Sequence, residues 1–195
     1  TADPPIDTGA MVKRFKALPD YKRALPLKDT YLKARQAYFT MDFTGAIALL
    51  KGIGAGTKTA PTFVNFMAAL AARDMGNSAQ AKLYYEAGRT GTGVPNVQLF
   101  ESYAEARIAD RDFAGSQLVL NDAANRFRDA DHLRSINIER SVAEGNDVLA
   151  ASDYSACQLV KGRDYIPARC KAAYPQAAAA EAEKKPRLRI PGLPF

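Results

Sequence analysis

The sequence predicts an all-α fold in which antiparallel helix pairs stack one after another and a terminal helix closes the stack. Three observations predict it. A turn motif centred on Asp or Asn occurs four times at near-constant spacing. A small residue and then a large one follow each motif in fixed register. A second helical segment precedes each motif in a register of its own.

The motif is Met41-Asp42-Phe43, Gly76-Asn77-Ser78, Arg111-Asp112-Phe113 and Gly145-Asn146-Asp147, at intervals of 35, 35 and 34 residues. Each central Asp or Asn stands just before an apolar or Ala-rich stretch. There its side-chain oxygen can accept a bond from an orphan N–H of a first helical turn, worth about 1 kcal/mol. Four residues on come Ala46, Ala81, Ser116 and Ala150, and four further on Leu50, Tyr85, Leu120 and Tyr154. This spacing puts both on one helix face, where alternating small and large side chains let a neighbouring helix approach closely. Eight residues before the motifs lie Ala34, Ala69, Ala104 and Ile138, within helical segments over 31–39, 62–75, 97–109 and 132–144. Pro61 and Pro95 open two of these segments, where a missing N–H is harmless. Each unit is therefore read as two antiparallel helices.

A two-helix unit of 34 or 35 residues with small residues at its crossing points resembles the tetratricopeptide repeat family, over roughly residues 28 to 160. The bulky residue that the family carries three beyond the first-helix small residue is replaced by Ala37, Ala72, Arg107 and Ser141, and its closing Pro is displaced at Pro61 and Pro95. Ile138 stands where the family has Gly or Ala, so the fourth first helix is expected to pack less closely. The resemblance implies a right-handed solenoid whose first helices line a concave groove for an extended peptide or a helix. Mapped residue by residue, that groove takes Tyr31, Arg35 and Tyr38, then Phe63, Phe66 and Arg73, then Gln98, Glu101 and Glu105, then His132 and Glu139. Its first half is aromatic with Arg, a composition enriched in binding hot spots, and its second half is acidic. Phe63 and Phe66 have inter-helix core as their alternative. Glu101 and Glu105, without obvious Lys or Arg relief on their face, either attract a basic segment or form a solvated face.

After the fourth unit, Gly162-Arg163-Asp164-Tyr165 repeats the turn chemistry and opens a helix over 165–174, expected to fold back on 147–160. Such a helix would cover the last apolar face, as solenoids require. Cys157 and Cys170 are symmetric about that turn, so a disulfide between them is geometrically sensible and would place the protein in an oxidising compartment. Two buried thiols in a cytosolic protein are the alternative. An Ala-rich helix then runs between Pro175 and Pro186, followed by an extended tail with Leu188, Ile190, Leu193 and Phe195 as apolar anchors and Arg187 and Arg189 as charges. Three regions result: an N-terminal basic arm over 1–27, the helical repeat domain over 28–174, and the C-terminal helix and tail over 175–195.

The 195 residues are 47% hydrophobic and 25% charged, with two Cys and one His. Such a chain buries enough surface to fold without metal, and no apolar run reaches the roughly 18 residues of a membrane span. It starts at Thr1, as a processed form or an excised fragment would. The net charge of +6 divides into +4 over residues 1–35, −3 over 36–160 and +5 over 161–195. These basic clusters are short and far apart, unlike the continuous basic stripe with interleaved aromatics of a nucleic-acid binder. An enzyme fares no better: His132 is the sole neutral-pH base, and one His with two Cys 13 residues apart makes no usual zinc site. Gly52-Ile53-Gly54-Ala55-Gly56 lacks the Gly-Lys-Ser/Thr ending of a phosphate loop and reads as an inter-helix linker.

The expectation is thus a non-enzymatic adaptor or assembly factor without cofactor or metal, binding a protein partner in the bacterial cell envelope, periplasmic or secreted. The basic tail would lie in its own acidic groove or in that of a second copy. The alternatives are a noncatalytic subunit of a larger enzyme or secretion complex, and a cytoplasmic secretion chaperone.

Overall fold

The computed structural model describes residues 24–127, 131–157 and 167–184, together with Lys13, Lys16, Ala17 and Lys22. The described residues form helices and turns, without a strand among them. Two compact units divide the chain, Thr1–Ala106 and Arg107–Phe195. The Gly162 to Tyr165 turn and the tail anchors Arg187, Arg189, Ile190 and Phe195 lie outside the described residues, as does most of the N-terminal arm.

In the first unit a 3-10 turn, Leu25–Leu27, leads into α1 (Lys28–Phe39), followed by α2 (Phe43–Gly52), α3 (Thr62–Asp74), α4 (Ser78–Thr90) and α5 (Val97–Ala109), within which the unit boundary falls. α1 packs on α2, α2 on α3 and α3 on α4. The second unit holds α6 (Phe113–Arg126), α7 (Asp131–Ala143), α8 (Asp147–Ala156), α9 (Ala168–Ala173) and α10 (Pro175–Lys184); α6 and α8 both pack on α7.

The turns between α1 and α2, α3 and α4, α5 and α6, and α7 and α8 share one geometry. The cap side chains Asp42, Asn77, Asp112 and Asn146 accept bonds from the amides of Gly45, Gln80, Gly115 and Leu149, each three residues ahead, at 2.9 to 3.0 Å. The amides of the same four residues donate five residues back, to the carbonyls of Ala37, Ala72, Arg107 and Ser141, at 2.8 to 2.9 Å. This is the Schellman closure, which satisfies the last carbonyls of one helix while the side chain satisfies the first amides of the next. It needs a left-handed residue just before each cap. Met41, Gly76, Arg111 and Gly145 supply it, with φ of 62°, 82°, 59° and 78°.

The register governs burial as the spacing predicts. Ala34, Ala69, Ala104 and Ile138 are fully buried, as are Ala46, Ser116 and Ala150, and Ala81, Leu50, Tyr85, Leu120 and Tyr154 are buried with them. Close-packed interiors penalise added volume at the small positions by roughly 1–3 kcal/mol. Ile138 fills its larger space by contact with Tyr154, Cys157, Cys170 and Ala173.

The terminal helix differs from expectation in length and placement. Pro167 is its N-cap, with φ −56° and ψ 146°, so α9 begins at Ala168 rather than Tyr165 and spans six residues. The extended ψ of Pro167 keeps that residue itself ahead of the helix, where its missing N–H is harmless. α9 packs on α7 rather than lying along 147–160, and it meets α8 through side chains at that helix's end. There the sulfurs of Cys157 and Cys170 come within disulfide distance, with Cα atoms 6.7 Å apart and both residues fully buried. The Tyr174 ring adds an edge contact to Tyr154 at 6.0 Å.

Candidate functional site

The residues mapped to the first half of the groove lie in the first unit, and the structure ties most of them to one another. Tyr31 on α1 meets Phe63 on α3 edge to face, with ring centroids 4.7 Å apart, and Phe66 is half-buried nearby in sequence. Tyr31 and Phe63 are thus part of the helix-to-helix packing, each retaining some exposure. Burial raises the Tyr31 hydroxyl's pKa, with Arg35 pulling the other way. Arg35 is exposed and places its guanidinium over the Phe39 ring, 5.4 Å from the centroid.

One helical turn on, a polar cluster joins α1, α3 and α4. The Tyr38 hydroxyl donates to the Asp74 carboxylate at 2.5 Å, across 36 residues of sequence. Arg73 holds the same carboxylate at 2.8 Å. Partial burial and the bond to Asp74 raise the pKa of Tyr38. Behind this pair lies Tyr85, fully buried and stacked on Tyr103 at 5.0 Å with the ring planes 12° apart. Its hydroxyl is buried without a hydrogen-bond partner; the Ser102 side chain bears on it without completing a bond of normal geometry. Burial drives the Tyr85 pKa up to about 12, with Arg73 opposing and Asp74 and Glu105 reinforcing.

Glu105 and Arg73 therefore act on one hydroxyl, and neither Glu101 nor Glu105 stands without a partner of its own. Gln98 is exposed, and its amide donates to Asn96. His132 and Glu139 lie in the second unit, where the His132 carbonyl accepts from the Ser135 hydroxyl at 2.8 Å.

Asp74 and Tyr103 were not singled out from the sequence. The signal for Asp74 was its place in the last turn of α3 beside Arg73, opposite the end of α1. Tyr103 adjoins the small residue Ala104, so the register that buries Ala104 also brings this ring onto Tyr85.

The Gly52 to Gly56 stretch is held as a connector. Fully buried Asn65 accepts from the Gly56 amide at 2.8 Å and donates to the Thr57 carbonyl at 2.9 Å, so the loop's polar groups are turned onto α3. Among the described residues, no three His, Cys, Asp or Glu side chains cluster in a way that could hold a metal ion.

No family model matches the chain, and no curated protein matches it. What the cluster offers is recognition chemistry: Arg73 and Asp74 remain partly exposed, at 40% and 28% of their side-chain surfaces, beside aromatic rings already fixed by packing. Preordered aromatic and guanidinium groups lose little entropy on contact with a partner.

Proposed function

We propose that the protein is a tetratricopeptide-like, non-enzymatic adaptor or assembly factor, which binds a peptide or partner segment over the exposed face of α1, α3 and α5. The recurrence of one Schellman-and-cap turn at 34 to 35 residues, with one buried register around it, supports this reading above all. A repeat with a fixed core leaves its exposed first-helix positions free to vary in chemistry. Here they hold Arg35, Tyr38, Arg73, Asp74 and Glu101 around a rigid aromatic base.

The compartment we propose is the bacterial cell envelope, periplasmic or secreted. Disulfide-distance Cys157 and Cys170 support it, since disulfides persist in oxidising compartments. Among the described residues no helix is long and apolar enough to cross a membrane.

Affinity capture from the native source tests the reading with wild type and the double variant Arg35→Glu, Glu101→Lys. These substitutions leave the Tyr31 and Phe63 contact intact. The reading expects one specific partner to disappear from the variant's captured set; an unchanged set contradicts it.

A further inference from the structure

Within the second unit, α6, α7 and α8 enclose a cleft of about 160 Å³ that shares no residue with the mapped groove. Its apolar wall is Leu120, Ala124, Leu133 and Ala156; its polar groups are Gln117 and Asn121 from α6, Arg134 and Asn137 from α7, and Asp153 from α8. A cavity of about 150 Å³ holds a ligand of benzene size, so the space suits a molecule of a few to about nine heavy atoms. Small-molecule sites have this mixture of apolar lining and a few placed polar groups.

The decisive residue is Asp153. It is half-buried, and its carboxylate accepts from the Ser141 hydroxyl at 2.7 Å, with Asn137 as a second donor. A carboxylate has about four acceptor sites, so capacity remains. No cation among the described residues pairs directly with it. The guanidinium whose charge acts on Asp153 is that of Arg140, which is almost fully buried and committed to Glu144 at 2.8 Å and to Ser141 at 3.1 Å. Burial consequently raises the Asp153 pKa above the ordinary carboxylate value, despite its hydrogen bonds. Buried charges are as a rule paired, and a ligand ammonium would supply the pair.

The other end of such a ligand also finds its complement. Arg134 brings a fixed positive charge to the lining, and it is not the arginine that acts on Asp153. Gln117 donates to Asn121 Oδ1 at 2.8 Å, a bond that uses neither the Asn121 amide N–H groups nor the Gln117 carbonyl oxygen. From this arrangement we propose that the cleft is a binding site for a small zwitterionic α-amino acid with an aliphatic side chain, its ammonium on Asp153, its carboxylate toward Arg134 and Asn121, and its side chain against Leu120 and Leu133.

Titration of the full chain with L-valine, N-acetyl-L-valine and L-valinamide, followed by amide and methyl NMR, tests the proposal. The first probe carries both charges, and each of the others lacks one. Saturable shifts at Leu133 and Ala156 are expected with valine, and at least tenfold weaker binding with either capped form. Asp153→Asn, which keeps an acceptor for Ser141, should bind valine and N-acetylvaline with equal weakness. Arg134→Gln should do the same for valine and valinamide. Ala124→Leu fills the cleft from an exposed helix position and should abolish binding even if Asp153→Asn fails to fold. The proposal is overturned by absence of saturable valine binding at millimolar concentration, by equal binding of all three probes, or by shifts that persist in Ala124→Leu.

Discussion

Tyr85 and Tyr103 lie stacked 5.0 Å apart, and the Tyr85 hydroxyl at the edge of that stack is buried without a hydrogen-bond partner. An unsatisfied buried hydroxyl is a standing cost of about 1–3 kcal/mol, whereas the rings themselves are a gain. Tyr85→Phe should therefore leave stability unchanged or raise it by about 1 kcal/mol in urea unfolding. Tyr103→Ala should lower it by about 3 kcal/mol or more. Destabilisation of Tyr85→Phe by more than 1 kcal/mol would show that the hydroxyl is satisfied.

The same residue predicts an alkaline limit. Its pKa rises from the model-compound value of 10.0 to about 12 on folding. Below pH 10 the hydroxyl is protonated in both states and contributes no pH dependence. Between pH 10 and 12 the unfolded chain loses its proton first, so stability falls as pH rises, by roughly 2–3 kcal/mol in all. Tyr85→Phe should remove that part of the decline, while the smaller shifts at Tyr31 and Tyr38 leave a residual slope of the same sign. Unfolding midpoints of both proteins from pH 9 to 12 check this.

In the four repeated turns, chemically opposite substitutions should act with opposite signs. Met41 and Arg111 hold left-handed backbone without being glycine, so Met41→Gly and Arg111→Gly should each stabilise by about 0.5–1 kcal/mol. Gly76→Ala and Gly145→Ala should each destabilise by about 1 kcal/mol, although an added Cβ would meet nothing within 4 Å at either position. Asn77→Ala and Asn146→Ala remove a cap and should cost about 1 kcal/mol each. Urea midpoints for the set separate backbone strain from steric crowding.

Gly88 behaves differently. A Cβ there would come within 2.4 Å of Leu99 Cδ1 and 3.2 Å of Asn65 Cβ, and both residues are fully buried. Gly88→Ala should therefore destabilise by about 1–3 kcal/mol despite its better helix propensity. A thermal shift downward is the expected result, and an upward shift would mean that α3 and α5 yield easily at this crossing.

Joining Cys157 to Cys170 closes a short loop that restricts the unfolded chain, so reduction should lower stability by about 3 kcal/mol. The non-reduced protein should weigh two hydrogens less than the reduced one. Equal masses would show free thiols and remove the main support for an oxidising compartment.

The turns and the buried register were legible because they are local. A cap side chain serves an amide three residues on, and the small and large residues share one helix face by spacing alone. The start of α9 at Ala168 was missed because the reading passed over Pro167, whose extended backbone precedes the helix. The contact of Tyr38 with Asp74 joins residues 36 apart, so it depends on how α1 settles against α3. The cleft at Asp153 was not visible either, since it draws on three helices and, of its lining, only Leu120 belongs to the register.

Photo-cross-linking in the native source, with a cross-linking residue at Arg35, at Gln98 or at Leu83, locates the binding face. Arg35 and Gln98 are exposed positions of the proposed binding face, and Leu83 is 71% exposed on α4. One partner protein should be captured from positions 35 and 98 and not from 83. Capture of the same proteins from all three positions, or from position 83 alone, would contradict it.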